Sequence, residues 1–159
     1  MSPTLRCVPQ LLTNSIGSDV ERKLKQMLLT EIDHVAIAVR DLDAAIDYYR
    51  RAFGAEVEHR EVVAHDGVEE ALLKVAESYV QLVTPTREDS PLAKAIEKRG
   101  EGLHHVGYRV RDCAEALASM VAAGATPIDK APRPGSRGTT VAFVHPKGSF
   151  GTLIELVQV

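Results

Sequence analysis

The chain has 159 residues, of which 45% are hydrophobic and 26% charged, a composition typical of one globular domain and unlike that of a disordered chain. The formal net charge of −3 gives no basic footprint for nucleic acid or for an anionic membrane. No apolar run approaches the ~20 residues of a membrane span. Cys7 and Cys113 lack the spacing of a thiolate metal site, so a reducing cytoplasm is the expected compartment.

Residues 1–27 differ in composition from the rest of the chain. They contain Ser, Thr, Asn, Pro and Gly and lack the continuous apolar stretch of a signal peptide. Ser18 followed by Glu21 is a capping-box pattern and predicts a short helix over Ser18–Leu29. We expect a weakly ordered extension before a single domain. Met27 stands just before the first predicted strand, which leaves open that the natural protein begins there.

The first half of the domain is predicted to have the element order βαβββ. Glu31–Val39 alternates in polarity as a strand does. Asp41 is the predicted N-cap of a helix whose apolar residues recur at helical spacing as far as Gly54. Three further strands are predicted, with Asp66-Gly67 as the hairpin turn between the first two. These strands are Ala55–Val63, Glu69–Val75 and Ser78–Thr84.

A connector over residues 87–101 contains a short predicted helix that starts at Ser90-Pro91 and ends at Gly100. The second half then repeats the order of the first. It has a strand over His104–Val110, a helix capped by Asp112, and three more strands separated by a loop rich in Pro, Gly and Arg and by a turn. The three strands are Ala125–Ile128, Thr139–His145 and Thr152–Gln158, and the loop is 132–138.

The two halves are copies of one module. Aligning the segment that starts at Ile32 with the one that starts at Leu103 places His34 on His105 and matches the Arg-Asp pair that precedes each helix. Each copy also ends alike, with Gln81 or Glu155 directly before a Leu-Val pair. A repeat of this kind decides the fold class. We predict an α+β domain over 28–159, built from modules at about 31–86 and 102–159 that form one cupped, mixed, eight-stranded sheet.

Four polar residues in equivalent positions predict a joint metal site. Gln81 and Glu155 interrupt otherwise apolar strands, and a buried carboxylate needs a cation, a donor or a proton. Neighbouring side chains on a strand point to opposite faces, so only one of His104 and His105 can face the site. The alignment with His34 favours His105, and we expect His104 to be structural or to lie at a rim. Two imidazoles, an amide oxygen and a carboxylate suit Co²⁺, Mn²⁺, Ni²⁺, Fe²⁺ or Zn²⁺.

Four short motifs carry a family resemblance that extends from Ile32 to Val159. They are Asp33-His34-Val35-Ala36, Gly102-Leu103-His104-His105-Val106, His145-Pro146-Lys147 and Leu153-Ile154-Glu155-Leu156. Together they resemble the vicinal oxygen chelate superfamily and, within it, the methylmalonyl-CoA epimerase family. In that family a His, a Gln, a second His and a Glu hold the metal, which here match His34, Gln81, His105 and Glu155. The resemblance implies a divalent metal ion, with Co²⁺ expected first, a small-molecule acyl-CoA substrate and a homodimer.

The resemblance also implies a catalytic base and a mechanism. The family's proposed base is a glutamate in the second strand of the first module, which matches Glu70, and Glu69 is the alternative if the register slips by one residue. Removal of the acidic α-proton of methylmalonyl-CoA gives an enolate whose charge the cation stabilises. Interconversion of the 2R and 2S epimers then requires a proton from the opposite face. Glu155, acting while it is also a ligand, or a bound water would supply it.

Other functions remain alternatives for this ligand pattern. A glyoxalase I-like lyase usually has acidic ligands in both late-strand positions, whereas one of them here is the neutral Gln81. An extradiol-type dioxygenase needs open coordination positions for oxygen, and Gln81 would occupy one of them. A binding protein of the same fold often lacks the ligands altogether. The sequence therefore favours an epimerase, with a glyoxalase I-like lyase or another metal-dependent enzyme of the superfamily as the alternative.

Overall fold

The computed structural model describes residues 27–159, which contain eight strands, three α-helices and a short 3-10 helix at Ser136–Gly138. The predicted helix over Ser18–Leu29 lies almost wholly outside these residues, and Leu29 begins a strand instead of ending a helix. The strands are Leu29–Ala38 (β1), Val57–Val63 (β2), Val68–Val75 (β3), Ser78–Pro85 (β4), Gly102–Val110 (β5), Arg133–Pro134 (β6), Thr140–Val144 (β7) and Ile154–Gln158 (β8). The helices are Leu42–Phe53 (α1), Pro91–Arg99 (α2) and Cys113–Ala122 (α3).

All eight strands belong to one mixed sheet in the order β2-β3-β4-β1-β5-β8-β7-β6. Within each module the first strand pairs in parallel with the last, β1 with β4 and β5 with β8. The first strands of the two modules, β1 and β5, pair antiparallel at the centre and join the halves. The predicted α+β fold with a mixed eight-stranded sheet is confirmed, and the central pairing brings the repeated histidine-bearing strands side by side.

Equivalent helices α1 and α3 cover the same face of the sheet. Asp41 accepts a hydrogen bond from the backbone N–H of Ala44, and Asp112 does the same for Glu115, so both helices have the predicted N-caps. Two apolar clusters lie beneath them. One contains Leu42, Ile46, Ala71, Leu73 and Leu82, and the other Cys113, Ala116, Leu117, Ala142, Val144 and Leu156. Polar residues at the alternate strand positions therefore point to the opposite face.

Helix α2 packs on that opposite face, through Leu92 and Ile96 against Ala38 and Val83. The side chain of Ser90, the predicted N-cap, accepts a hydrogen bond from the backbone N–H of Ala93. No helix among residues 27–159 combines the length and the apolar character needed to cross a membrane.

The second module departs from the predicted strand positions. The prediction of a strand over Ala125–Ile128 is wrong, because only an isolated bridge joins Pro127 to Val144 there. The N–H groups of Ile128 and Asp129 both donate to the carbonyl oxygen of Phe143, at 2.9 and 3.2 Å, so the chain leaves the regular ladder directly after the bridge. The short β6 at Arg133–Pro134 takes the sheet edge instead, inside the segment that was predicted to be a loop.

Candidate metal centre and active site

The concave face of the sheet and helix α2 enclose a cavity of about 530 Å³ that is lined by residues of both modules. Four of the predicted site residues line this cavity, namely Glu70, Gln81, His105 and Glu155. The fifth, His34, is buried and contacts His105 and Glu155. The structure thus brings together residues from β1, β3, β4, β5 and β8 that are far apart in the sequence.

Three potential ligand atoms form a tight triangle in this cavity. His34 Nε2 lies 3.0 Å from His105 Nε2 and 2.9 Å from Glu155 Oε2, and His105 Nε2 lies 3.0 Å from the same oxygen. Donor atoms held ~2.1 Å from one ion at right angles are about 3.0 Å apart. The two imidazoles and the carboxylate therefore have the mutual spacing of ligands to a single cation.

Strand register explains why the ligands converge. Ala36 on β1 is paired with Gln81 on β4 and with His105 on β5, while Gly107 on β5 is paired with His34 and with Glu155 on β8. Each small residue leaves room above it for the two larger side chains at its sides. At Gly107 this room is essential, because a Cβ atom would lie only 2.3 Å from Cε1 of His34.

The fourth predicted ligand, Gln81, lines the same cavity. Its Nε2 donates a 2.6 Å hydrogen bond to Glu70 Oε2, which fixes the orientation of the amide. Its Oε1 is buried and has no hydrogen-bond partner among residues 27–159. A buried acceptor left without a partner is costly, and a hard or borderline cation would satisfy it. The residues present therefore fit a divalent cation bound by two imidazoles, an amide oxygen and a carboxylate.

Alternation on β3 decides which glutamate faces the cavity. Glu70 is 3% exposed and lies on the cavity side. Glu69 lies on the outer side, where it accepts a 2.8 Å hydrogen bond from Arg60, which also bonds Asp43 of α1. Burial raises the pKa of Glu70 above its ordinary value. Glu70 is thus a buried carboxyl group with increased basicity at the wall of the cavity.

A network behind His34 was not predicted from the sequence. A β-bulge leaves Asp33 without a partner on β5, so its side chain reaches Nδ1 of His34 at 2.9 Å. Arg109 and Arg137 donate to the same carboxylate at 2.9 and 2.6 Å. Burial opposes the ionisation of Asp33, but hydrogen bonds from His34 and Arg109 and the charge of Arg137 hold its pKa well below the usual range. Asp33 is therefore a buried anion that supports the imidazole.

The charges around His34 also act on its own proton. Burial disfavours the imidazolium, yet hydrogen bonds to Asp33 and Glu155 raise the pKa of His34 to about 9. The same partners work in the opposite direction on Glu155, where hydrogen bonds from His105 and His34 outweigh burial and lower the pKa to about 2. A cation that binds Nε2 of His34 must replace the proton there, so metal binding releases protons.

His104 does not lie where the alternation of a regular strand would put it. The prediction that His104 and His105 face opposite sides is wrong, because a second β-bulge leaves His104 without a partner on β1. His104 Nδ1 lies 2.8 Å from Nδ1 of His105, and both rings line the cavity. Burial, with the neighbouring His105, lowers the pKa of His104 to about 4. No residue type in the sequence signals this bulge.

Comparisons with known proteins agree with this architecture. The family description "Glyoxalase/Bleomycin resistance protein/Dioxygenase superfamily" matches residues 33–143. The chain belongs to this superfamily. It is 37% identical over 134 residues to the ethylmalonyl-CoA/methylmalonyl-CoA epimerase of Cereibacter sphaeroides, a match that covers 83% of this chain and 100% of the relative. The resemblance to methylmalonyl-CoA epimerases noted in the sequence is confirmed.

Two solved structures extend the comparison to three dimensions. A variant of the Streptomyces coelicolor methylmalonyl-CoA epimerase in complex with 2-nitronate-propionyl-CoA is 43% identical, with a TM-score of 0.79 over 82% of this chain and 97% of that one. A methylmalonyl-CoA epimerase in complex with methylmalonyl-CoA and NH4+ is also 43% identical, with a TM-score of 0.79 over 82% of this chain and 94% of that one. Both matches span most of the described residues.

Proposed function

We propose that the protein is a metal-dependent epimerase that interconverts the 2R and 2S forms of methylmalonyl-CoA. The observation that carries the proposal is the buried carboxyl of Glu70 beside an amide, two imidazoles and a second carboxylate in one cavity. The similarity to epimerases named for methylmalonyl-CoA supports the choice of substrate. We further expect a homodimer, as the sequence resemblance implies, and a cytoplasmic location, as the cysteine usage indicates.

The proposed ligands are His34, Gln81, His105 and Glu155. Co²⁺ is the cation we expect first, with Mn²⁺, Ni²⁺, Zn²⁺ and Fe²⁺ as alternatives, since the donor set is mixed nitrogen and oxygen without a thiolate. When bound, the cation would stabilise the negative charge that develops on the carbonyl oxygens of the substrate. The neutral Gln81 leaves the set with one carboxylate, unlike the two acidic ligands expected of a glyoxalase I-like lyase.

Glu70 is the proposed base. The α-hydrogen of the substrate lies between a carboxylate and a thioester carbonyl, so its removal gives a delocalised enolate. Burial raises the pKa of Glu70, which makes its carboxylate a stronger base, and Gln81 Nε2 holds one of its oxygens at 2.6 Å. General base catalysis of this kind typically contributes about 10²–10⁴ in rate.

Inversion requires that the proton be returned on the other face of the enolate. Glu155 lines the same cavity from β8 of the second module, across the central strands from β3, and it or a bound water is the proposed proton donor. Glu155 would then act both as a ligand and as an acid, and because its pKa of about 2 keeps it ionised in the metal-free protein, it would have to take up a proton before donating one. Glu70 on β3 and Glu155 on β8 line the same cavity from different modules, and the proposal requires that they approach opposite faces of the substrate α-carbon.

The test compares two adjacent glutamates that face opposite sides of β3. Glu70→Gln keeps the side-chain shape but removes the base, so we expect normal metal content and a loss of epimerisation of roughly 10²-fold or more. Glu69→Gln is the matched control and should retain nearly all activity. Exchange of the substrate α-proton with deuterium, measured for each epimer separately, shows which face each group serves. Wild-type exchange rates for both epimers in Glu70→Gln would contradict the assignment.

A further inference from the structure

Both modules place a bulged residue immediately before the histidine that faces the cavity. In the β1–β5 register Ile32 and His34 are paired but Asp33 is skipped, and on β5 Leu103 and His105 are paired but His104 is skipped. A bulge turns the side chain of the extra residue away from the regular alternation. In each case that side chain meets Nδ1 of the following histidine, at 2.9 Å for Asp33 and 2.8 Å for His104.

The coordination chemistry of imidazole decides which ring donates and which accepts in the contact between His104 and His105. Nε2 of His105 is the ring atom that faces His34 Nε2 and Glu155 Oε2, each at 3.0 Å. A neutral imidazole that uses Nε2 as a ligand carries its proton on Nδ1, and this N–H needs an acceptor that also fixes the ring. The atom within reach is Nδ1 of His104, which can accept only with its lone pair and therefore must not carry a proton.

We propose that His104 is a positioning residue that accepts a hydrogen bond from Nδ1–H of His105 and so directs the Nε2 lone pair of His105 at the metal. It does in the second module what Asp33 does in the first, with a neutral imidazole in place of a carboxylate. This inference rests on the proposed metal centre. It assigns His104 to support of a ligand and gives it no direct contact with the cation.

His104 could act on His105 by packing or by accepting a hydrogen bond, and these two roles predict different effects of substitution. The rings of His104 and His105 also meet edge to face, with centroids 5.1 Å apart, and His105 meets Phe143 in the same way at 5.3 Å. If packing alone mattered, an apolar side chain of similar size at position 104 would serve. If the acceptor matters, only side chains with a lone pair near Nδ1 of His105 will serve.

The experiment therefore uses a matched pair with similar shape, His104→Leu and His104→Asn, of which only the second offers an acceptor. Binding of Co²⁺ to the metal-free full-length proteins is followed by titration calorimetry, and folding by the thermal unfolding of the same samples. We expect His104→Leu to bind Co²⁺ roughly 10–100-fold more weakly than the wild type. His104→Asn should recover most of that loss, and both variants should show unfolding temperatures close to each other.

Wild-type affinity in His104→Leu, or equal weakening in both variants, would overturn the inference while leaving the metal centre in place. A wild-type protein that binds no divalent cation would overturn the proposed metal centre and this inference with it. If His104→Leu shows no cooperative unfolding, the same comparison is made with His104→Phe and His104→Asp, the latter copying the carboxylate of Asp33. Tight Co²⁺ binding by the Phe variant would then count against the inference in the same way.

Discussion

The two modules supply matching halves of the proposed metal site but differ at the position of the base. On β3 and β4, Leu72 is paired with Gln81 and Glu70 with Val83. On β7 and β8 the corresponding pairs are Phe143 with Glu155 and Val141 with Val157. Val141 therefore occupies in the second module the place that Glu70 has in the first, and both line the cavity. The ligand positions are symmetric, whereas the buried carboxyl proposed as a base is present on one side only.

This difference bears on how a proton could reach the second face of the substrate. A symmetric enzyme would use a glutamate on β3 and its counterpart on β7, but an apolar Val141 cannot transfer a proton. The second module offers Glu155 instead, one strand away on β8 and hydrogen-bonded to both imidazoles. The dual role proposed for Glu155 therefore rests on two features of the second module, which has Val141 where the first module has Glu70 and carries Glu155 on β8.

The largest expected effect tests whether both halves are needed for one metal ion. His34→Ala in the first module, and His105→Ala or Glu155→Ala in the second, should each reduce bound metal to background and lower epimerisation by about 10³-fold or more, since each removes a ligand from a shared site. Elemental analysis of the purified variants measures the metal directly. Full occupancy in His105→Ala would mean that the cation, if present, lies elsewhere.

A smaller but sharper test changes the two small residues that are paired with the proposed ligands, Ala36 in the first module and Gly107 in the second. A Cβ at position 107 would lie within 2.7 Å of three atoms of the His34 ring, so Gly107→Ala must displace this imidazole and should weaken Co²⁺ binding at least ~10-fold. The reverse change at the equivalent position, Ala36→Gly, leaves every ligand in place. It should cost only about 1 kcal/mol of folding free energy and leave metal affinity nearly unchanged. Equal metal affinities in the two variants would contradict the close approach.

Asp33 and His104 contact the histidines of the two modules, and we expect their substitution to change the stability of the protein by different amounts. Asp33→Asn removes the anion that Arg109 and Arg137 share, and breaking a buried ion pair on one side is strongly destabilising. We expect a loss of about 3 kcal/mol in the free energy of unfolding of the metal-free protein, measured in urea. The His104 variants remove no charge and should lose much less. A loss in Asp33→Asn no larger than the small loss expected of the His104 variants would show that the arginines do not depend on the charge of Asp33.

The sequence predicted the parts of the site that obey strand alternation and repetition. His34 and His105 could be matched because the repeat aligns them, whereas Glu70 came from the family resemblance with Glu69 as the alternative, and the structure places Glu70 on the cavity side. The structure adds Gly107, whose missing Cβ is required by the ring of His34, a requirement that no sequence pattern expresses.

What the sequence missed depends on departures from regular pairing. The bulges at Asp33 and His104 arise from how β1 and β5 fit together, and a bulge on one strand is defined only relative to its partner. Arg137 reaches Asp33 from a distant turn in which it has a positive φ of 56°. Its role is a long-range contact that alternation and helical spacing cannot predict. The residues missed are thus Asp33 and His104, which contact Nδ1 of the two histidines, and Arg137, which contacts Asp33.

The smallest expected effect lies at the helices, where the two modules are most alike. Asp41 and Asp112 each accept a hydrogen bond from the backbone N–H three residues later, at 2.9 and 2.8 Å. Replacing an N-cap aspartate by alanine typically costs about 1 kcal/mol. Asp41→Ala and Asp112→Ala should therefore lower the free energy of unfolding by similar amounts, and both should keep wild-type metal content because neither helix contributes a ligand. Urea denaturation of each variant measures the loss. A much larger loss in one module would show that the stability of that half depends more strongly on its helix, even though the caps match.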